Sequence, residues 1–323
     1  MLLSTLAAGV AFAQAPSNDL TISAWVVFWN PDCFTRFAEQ ASIVTEVMPE
    51  WIAMDSEGMP YRRVKENDAE KASFWKTAKA SKTNTLAMIS NFASEAGGFD
   101  AARVQKMLAT KEARAKHIRQ LVSIAKEDGF KGLDIDIESL HAKDKEAYSL
   151  YVEELAQATK KARLFLTVTV HPKTNDKGGW EGPEAQDYAR IGKAADVVKI
   201  MCYDFSWSGS QPGPIAPDDW VEQVITYAKT VIPAKKIDMG VAGYGYDWTT
   251  KPAGSMRFDG WKDLDAEATD CPRSGERING ARYFSGAGAF ARKKALAKKL
   301  GIRGLALWYL GSEDPAIWSS LKP

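Results

Sequence analysis

Little in this chain of 323 residues suits a metal or redox centre. It has three histidines, His117, His141 and His171, and no two stand at helical spacing, so no histidine-built metal site and no cofactor is expected. The three cysteines, Cys33, Cys202 and Cys271, lie far apart with no Cys-x-x-Cys pair, so at most one disulfide can form and a disulfide-stapled scaffold is excluded. An excess of one charge is missing as well. Against 42 Lys and Arg stand 41 Asp and Glu, a net charge of +1, so no global field draws the protein to nucleic acid or to an anionic membrane. No apolar run beyond the first residues approaches the roughly 18 that a membrane span requires. The absence of any Asn-x-Ser/Thr sequon is in keeping with a bacterial secreted protein. Catalysis, if there is any, has to rest on carboxylates and aromatic rings.

Residues Met1 to Ala13 are uncharged and mostly apolar, and they close on Ala11-Phe12-Ala13, the small-x-small pattern of a signal-peptidase site. They read as an export leader whose positively charged n-region is missing, and the expected location is secreted or periplasmic. The chain after this leader, from residue 20 to 323, is long enough for one α/β barrel.

Eight short β-branched or apolar runs recur along it: Leu20 to Trp29, Ser42 to Trp51, Thr85 to Phe92, Gly132 to Glu138, Leu164 to His171, Val197 to Phe205, Ile237 to Tyr244 and Gly304 to Leu310. Helical stripes separate most of them, such as Ile118, Leu121, Val122 and Ala125 before a C′ Gly129, and Tyr148, Tyr151, Val152 and Leu155 after Asp144 as N-cap. Eight strand–helix units predict a (β/α)8 barrel with its site at the C-terminal strand ends. An open doubly wound sheet would want a glycine-rich phosphate turn after the first strand, and Trp29-Asn30-Pro31-Asp32 supplies none. Asp247 to Arg282 breaks the rhythm and reads as an insertion between strands seven and eight. Gly286-Ala287-Gly288-Ala289 imitates a dinucleotide fingerprint but opens no βαβ unit. The basic run Arg292, Lys293, Lys294, Lys298 and Lys299 reads as a solvated outer helix face.

The informative segment is Lys131-Gly132-Leu133-Asp134-Ile135-Asp136-Ile137-Glu138. Side chains alternate on a strand, so Asp134, Asp136 and Glu138 share one face and the aliphatic residues the other. Stacking carboxyls inside a barrel is costly unless they share protons or hold a cation. A hard cation such as Mg²⁺ is one way to offset that cost; a proton-sharing relay with Glu138 kept as a general acid is the other, and it fits better. The neighbouring strand ends add aromatic groups: Tyr203 and Asp204 on strand six, Tyr244 on strand seven and Trp308 on strand eight. Trp308 offers a flat face on which a sugar can stack. His171 shares a face with Phe165, Thr167 and Thr169 and can project into the groove, and Trp207 sits on the loop after strand six. Cys202 alternates away from Met201 and Tyr203, as an inert core thiol.

These residues resemble the family 18 glycoside hydrolases, whose strand-four signature is Asp-x-x-Asp-x-Asp-x-Glu and whose strand six carries Met-x-Tyr-Asp, here Met201-Cys202-Tyr203-Asp204. Gly240-Val241-Ala242-Gly243-Tyr244-Gly245 and the segment from Trp308 through Gly311-Ser312-Glu313-Asp314-Pro315 extend the resemblance over Leu20 to Trp318. Lys131 departs from it, standing where the signature has its first Asp. The resemblance implies a retaining glycosidase acting on N-acetylglucosamine-containing polysaccharide, in which the substrate's 2-acetamido group is the nucleophile. It implies Glu138 as acid and base, Asp136 as partner of the acetamido N–H, and Asp134 behind it taking up or supplying a proton. Tyr203 would orient the acetamido oxygen, Asp204 would hold the distorted sugar, and Trp308, Met201 and Tyr244 would line its site. Trp207 and His171 are expected to touch neighbouring sugars. A carbohydrate-binding barrel without turnover is the other class of protein these residues allow, and a monomer is expected.

Overall fold

The apolar runs form eight parallel strands: β1 (Thr21–Val26), β2 (Glu46–Pro49), β3 (Asn84–Ser90), β4 (Gly132–Asp136), β5 (Phe165–Val170), β6 (Val197–Ile200), β7 (Ile237–Ala242) and β8 (Gly304–Trp308). The structure is a computed structural model that describes residues 20–63 and 69–321, so the expected leader at residues 1–13 lies outside it. Each strand pairs with the next in chain order, and β8 pairs back onto β1 (Thr21 opposite Gly304), which closes the sheet into a barrel. The open doubly wound alternative is thereby excluded.

Alternation sorts the strand residues into two layers. Leu133 and Ile135 of β4 point outward and are fully buried against helices such as Lys111–Glu127 and Lys145–Ala162. The latter helix contributes Tyr148, Tyr151, Val152 and Leu155 as its buried face. The former begins where Thr110 accepts from the Ala113 amide at 3.1 Å and stops before Gly129, whose φ of +79° suits glycine. Inside the barrel a smaller apolar cluster of Trp25, Met48, Leu86, Met88 and Ala306 fills the middle.

The insertion between β7 and β8 folds into a five-stranded antiparallel sheet running from Gly245–Asp247 to Arg282–Phe284, with Trp261 stacked on Phe284 at 5.6 Å. Gly286 only precedes the helix Ala287–Leu300, with no nucleotide fold around it. The expectation of a solvated basic face on that helix needs correction at Lys293. This residue is buried, and its ammonium donates to the Ala216 carbonyl at 2.7 Å and pairs with Asp218, because the helix packs against the segment that follows β6. All three cysteines are free and buried. Burial pushes the Cys33 thiol up to about 12 and raises Cys202 as well, so neither is a reactive thiolate. No helix among the described residues is long and apolar enough to cross a membrane.

Candidate active site

The C-terminal strand ends surround a cleft of about 870 Å³ whose lining includes Asp136, Glu138, His171, Tyr203, Asp204 and Trp308. Residues expected from four different strand ends therefore meet at one place, together with Met201 and the half-exposed Trp207 at the rim. Tyr244 is placed differently: it stands behind Asp204 and donates to its Oδ1, while Tyr246, on the first insertion strand, lines the cleft and donates to the same oxygen at 3.1 Å. Asp204 itself has φ of +59°, a left-handed conformation that turns its carboxyl toward these two phenols. Gly240 on β7 leaves room for this corner, since a Cβ there would lie 2.6 Å from the Ile200 carbonyl and 3.0 Å from the Tyr203 ring.

The three acids, two on β4 and Glu138 just past its end, lie at successive depths. Asp134 is completely buried below the cleft and saturated with donors: the Trp25 indole N–H at 2.8 Å on Oδ2, and the Thr167 hydroxyl and the Lys199 ammonium (3.2 Å) on Oδ1. Asp136, one layer up, is buried and its Oδ1 has no hydrogen-bond partner. Burial raises its carboxyl well above the usual range, and the facing charges of Glu138, Asp134 and Glu50 add to the effect. Glu138 caps the column. Burial, with a further contribution from Asp204, pushes its carboxyl up to about 8, so it holds a proton at neutral pH.

Asn91, at the end of β3, grips the backbone of Glu138 from both sides: its Oδ1 accepts from the Glu138 amide at 2.9 Å and its Nδ2 donates to the Glu138 carbonyl at 3.0 Å. His171 faces the acid, with Nε2 3.5 Å from Glu138 Oε2. Burial depresses this imidazole to about 4, so it is neutral, and its Nε2 is buried without a hydrogen-bond partner. Trp308 packs edge-on against Trp25 with centroids 5.5 Å apart and offers its remaining surface to the cleft. Among the described residues no group of three or more His, Cys, Asp or Glu side chains is arranged to hold a metal ion.

Trp25, Asn91, Lys199 and Tyr246 were not anticipated from sequence. The one signal for Lys199 is its parity: it stands two residues before Met201, so alternation puts it inside.

The family model of glycosyl hydrolases family 18 matches residues 24–313. An uncharacterized glycosylase, YvbX, of Bacillus subtilis is 28% identical over 76% of this chain and 76% of its own length. The cortical fragment-lytic enzyme of the same organism is 29% identical over 74% of this chain but only 60% of its own length, so the chain spans less than two thirds of that relative. Among solved structures, a class V chitininase from Pseudomonas fluorescens Pf-5 superposes with a TM-score of 0.86 at 21% identity, covering 94% of this chain and 98% of that one. The Bacillus cereus spore cortex-lytic enzyme SleL gives a TM-score of 0.82 at 23% identity, over 94% of this chain and 73% of its own. At these identities the structural likeness concerns the fold.

Proposed function

This chain belongs to glycosyl hydrolases family 18, and from that membership we propose that it is an exported, retaining hydrolase of β-1,4-linked N-acetylglucosamine polymers, chitin or peptidoglycan glycan. The observation that carries the reading is Glu138, a carboxyl held protonated at neutral pH on the wall of the cleft, with the buried Asp136 beneath it. A protonated carboxyl is the state a general acid needs. In this family the nucleophile is the substrate's own 2-acetamido group, and it is assigned so here.

In the first step the Glu138 proton passes to the glycosidic oxygen and the C1–O bond breaks, while the 2-acetamido carbonyl oxygen bonds to C1 to give an oxazolinium ion. In the second, water adds to C1, giving its proton to Glu138, and the bond to the acetamido oxygen breaks, so the anomeric configuration is retained. Asp136 accepts from the acetamido N–H and its neighbouring negative charge favours the cation. The phenol of Tyr203 orients the acetamido oxygen, Asp204 with Tyr246 holds the ring, and Trp308 and Met201 form the floor. Tyr244 acts through Asp204, and Trp207 offers its exposed ring to a neighbouring sugar. Export rests on Met1 to Ala13 and is tested by N-terminal sequencing of the protein recovered outside the cell.

The decisive experiment measures release from chitooligosaccharides and purified peptidoglycan by the wild type and by Glu138→Gln. The variant is expected to lose on the order of 10² to 10⁴ in kcat/KM, the range for removing a general acid. Equal activity would refute the assignment. Cellooligosaccharides, lacking the acetamide, are expected to remain intact; their efficient cleavage would rule out substrate assistance.

A further inference from the structure

Lys199 is a charged side chain in the middle of a barrel, wholly buried, with its ammonium 3.2 Å from Asp134 Oδ1. A lysine is tolerated in such a place when its charge is matched, and two carboxylates match it here: Asp134 on β4 and Asp238 on β7, on whose ionisation Lys199 also acts. Asp238 in turn pairs with Arg303 at 2.6 Å, and Arg303 with Glu46, so a chain of alternating charges links Glu46 to Asp134, two residues before Asp136 on β4.

Asp134 and Asp136 differ in one respect. Asp134 accepts from three donors, one of them the ammonium, and both of its oxygens are engaged. Asp136 has a buried oxygen with no partner at all. We infer that Lys199 is a positioning residue that fixes Asp134 as a permanent negative charge and so confines the mobile protons of the site to Asp136 and Glu138. This departs from a relay in which Asp134 takes up or supplies a proton. It rests on the proposed use of Asp136 and Glu138 in glycoside cleavage. In its place Asp134 becomes a static anion, two residues along β4 from Asp136, that favours the developing oxazolinium cation without itself gaining or losing a proton.

The titration of this site is shared among identifiable groups. Asp136 feels Glu138 and Asp134 from its own strand segment and Glu50 from the end of β2, and it faces the phenols of Tyr203 and Tyr148. Asp238, beside Lys199, feels Arg303, Glu46 and Lys199. Apparent pKa values from activity therefore belong to the set, so the test has to read individual carboxyls.

The test is carboxyl-carbon NMR of protein labelled with ¹³C at the aspartate side-chain carboxyl, with the Asp134 and Asp136 resonances assigned by their absence from Asp134→Asn and Asp136→Asn. Between pH 4 and 9 the wild-type Asp136 signal is expected to move and the Asp134 signal to stay at its carboxylate position. In Lys199→Met, Asp134 is expected to titrate within this range, because losing the cation favours its neutral form. Joint movement of both signals in the wild type would overturn the inference, and so would a Lys199→Met protein whose Asp134 signal is unchanged. The wild-type titration decides even where Lys199→Met does not fold. A wild type inactive on every amino-sugar glycan would instead remove the functional reading while leaving the titration intact.

Discussion

At the scale of single residues, His171 and Asn91 separate two ways of serving the same acid. The buried Nε2 of His171 faces Glu138, so under the proposed mechanism it serves the carboxylate that forms once the proton has left. His171→Phe keeps a ring against Trp180, now packed edge-on at 4.6 Å, and removes the nitrogen. A hydrogen bond to a charged group is worth about 1.5–3 kcal/mol, so kcat is expected to fall about 10- to 100-fold. Steady-state kinetics should show that fall with KM nearly unchanged; a rise in KM alone would make His171 a sugar contact instead. Asn91 serves through the backbone. Its two bonds to Glu138 fix the direction of the acid, and only a long-range register could reveal that, since Asn91 precedes Glu138 by 47 residues. The acids of β4 were legible because one strand's alternation lines them up, whereas Trp25, Asn91 and Lys199 come from three other strands whose facing depends on how the barrel closes.

Among the elements, the segment that links β5 to helix Tyr188–Ala194 shows how a loop can be made rigid enough to hold a functional side chain. Its centre is Lys173, whose side chain is fully buried and whose ammonium donates to the carbonyls of Asp176 (3.1 Å), Pro183 (3.2 Å) and Gln186 (2.7 Å). Gln186 Oε1 accepts from the His171 amide at 2.7 Å, and the Tyr188 hydroxyl donates to the His171 carbonyl, so the loop's far end is tied to its beginning. Gly182 lets the half-exposed Trp180 lie over it, since a Cβ there would be 2.3 Å from the indole. Lys173→Met leaves three carbonyls without their donor, at about 1–3 kcal/mol for each group that stays dry. Hydrogen exchange is expected to speed up across residues 174–187 and not in β4, with a several-fold higher KM; unchanged protection there would show that packing alone holds the loop. The eight barrel strands and their flanking helices were readable from periodicity. The insertion's sheet was not, because strands of two or three residues are too short to display a period.

For the molecule as a whole, the barrel gathers carboxyls into places where water does not reach, and each leaves the same signature on stability. Glu276, on the insertion, accepts from the amides of Ile215 and Ala216 at 2.9 Å each and so ties the insertion to the segment that follows the Trp207 loop; burial pushes it up to about 7. Glu50 is likewise raised to about 7, Asp238 to about 6 and Glu138 to about 8, with burial the leading cause each time. An acid whose folded value is raised binds its proton more tightly in the native state, so its contribution is fully present below the unfolded value near 4 and is lost as pH climbs through the folded value. The buried histidines act in the opposite window. His117 and His171 are lowered to about 4, so the stability they give is present above about 6.5 and is lost as pH falls toward 4. Of these groups only the carboxyls still change above pH 6.5. Calorimetry should therefore find Tm falling between pH 6.5 and 8, by roughly 1.5–2 °C for each kcal/mol lost in a domain of this size. In Glu138→Gln that decline is expected to be shallower, since the group with the highest value has been made uncharged; a Tm that rises over this interval in the wild type would mean that these carboxyls are ionised in the folded protein, Glu138 included, and that it is no longer poised to give up a proton.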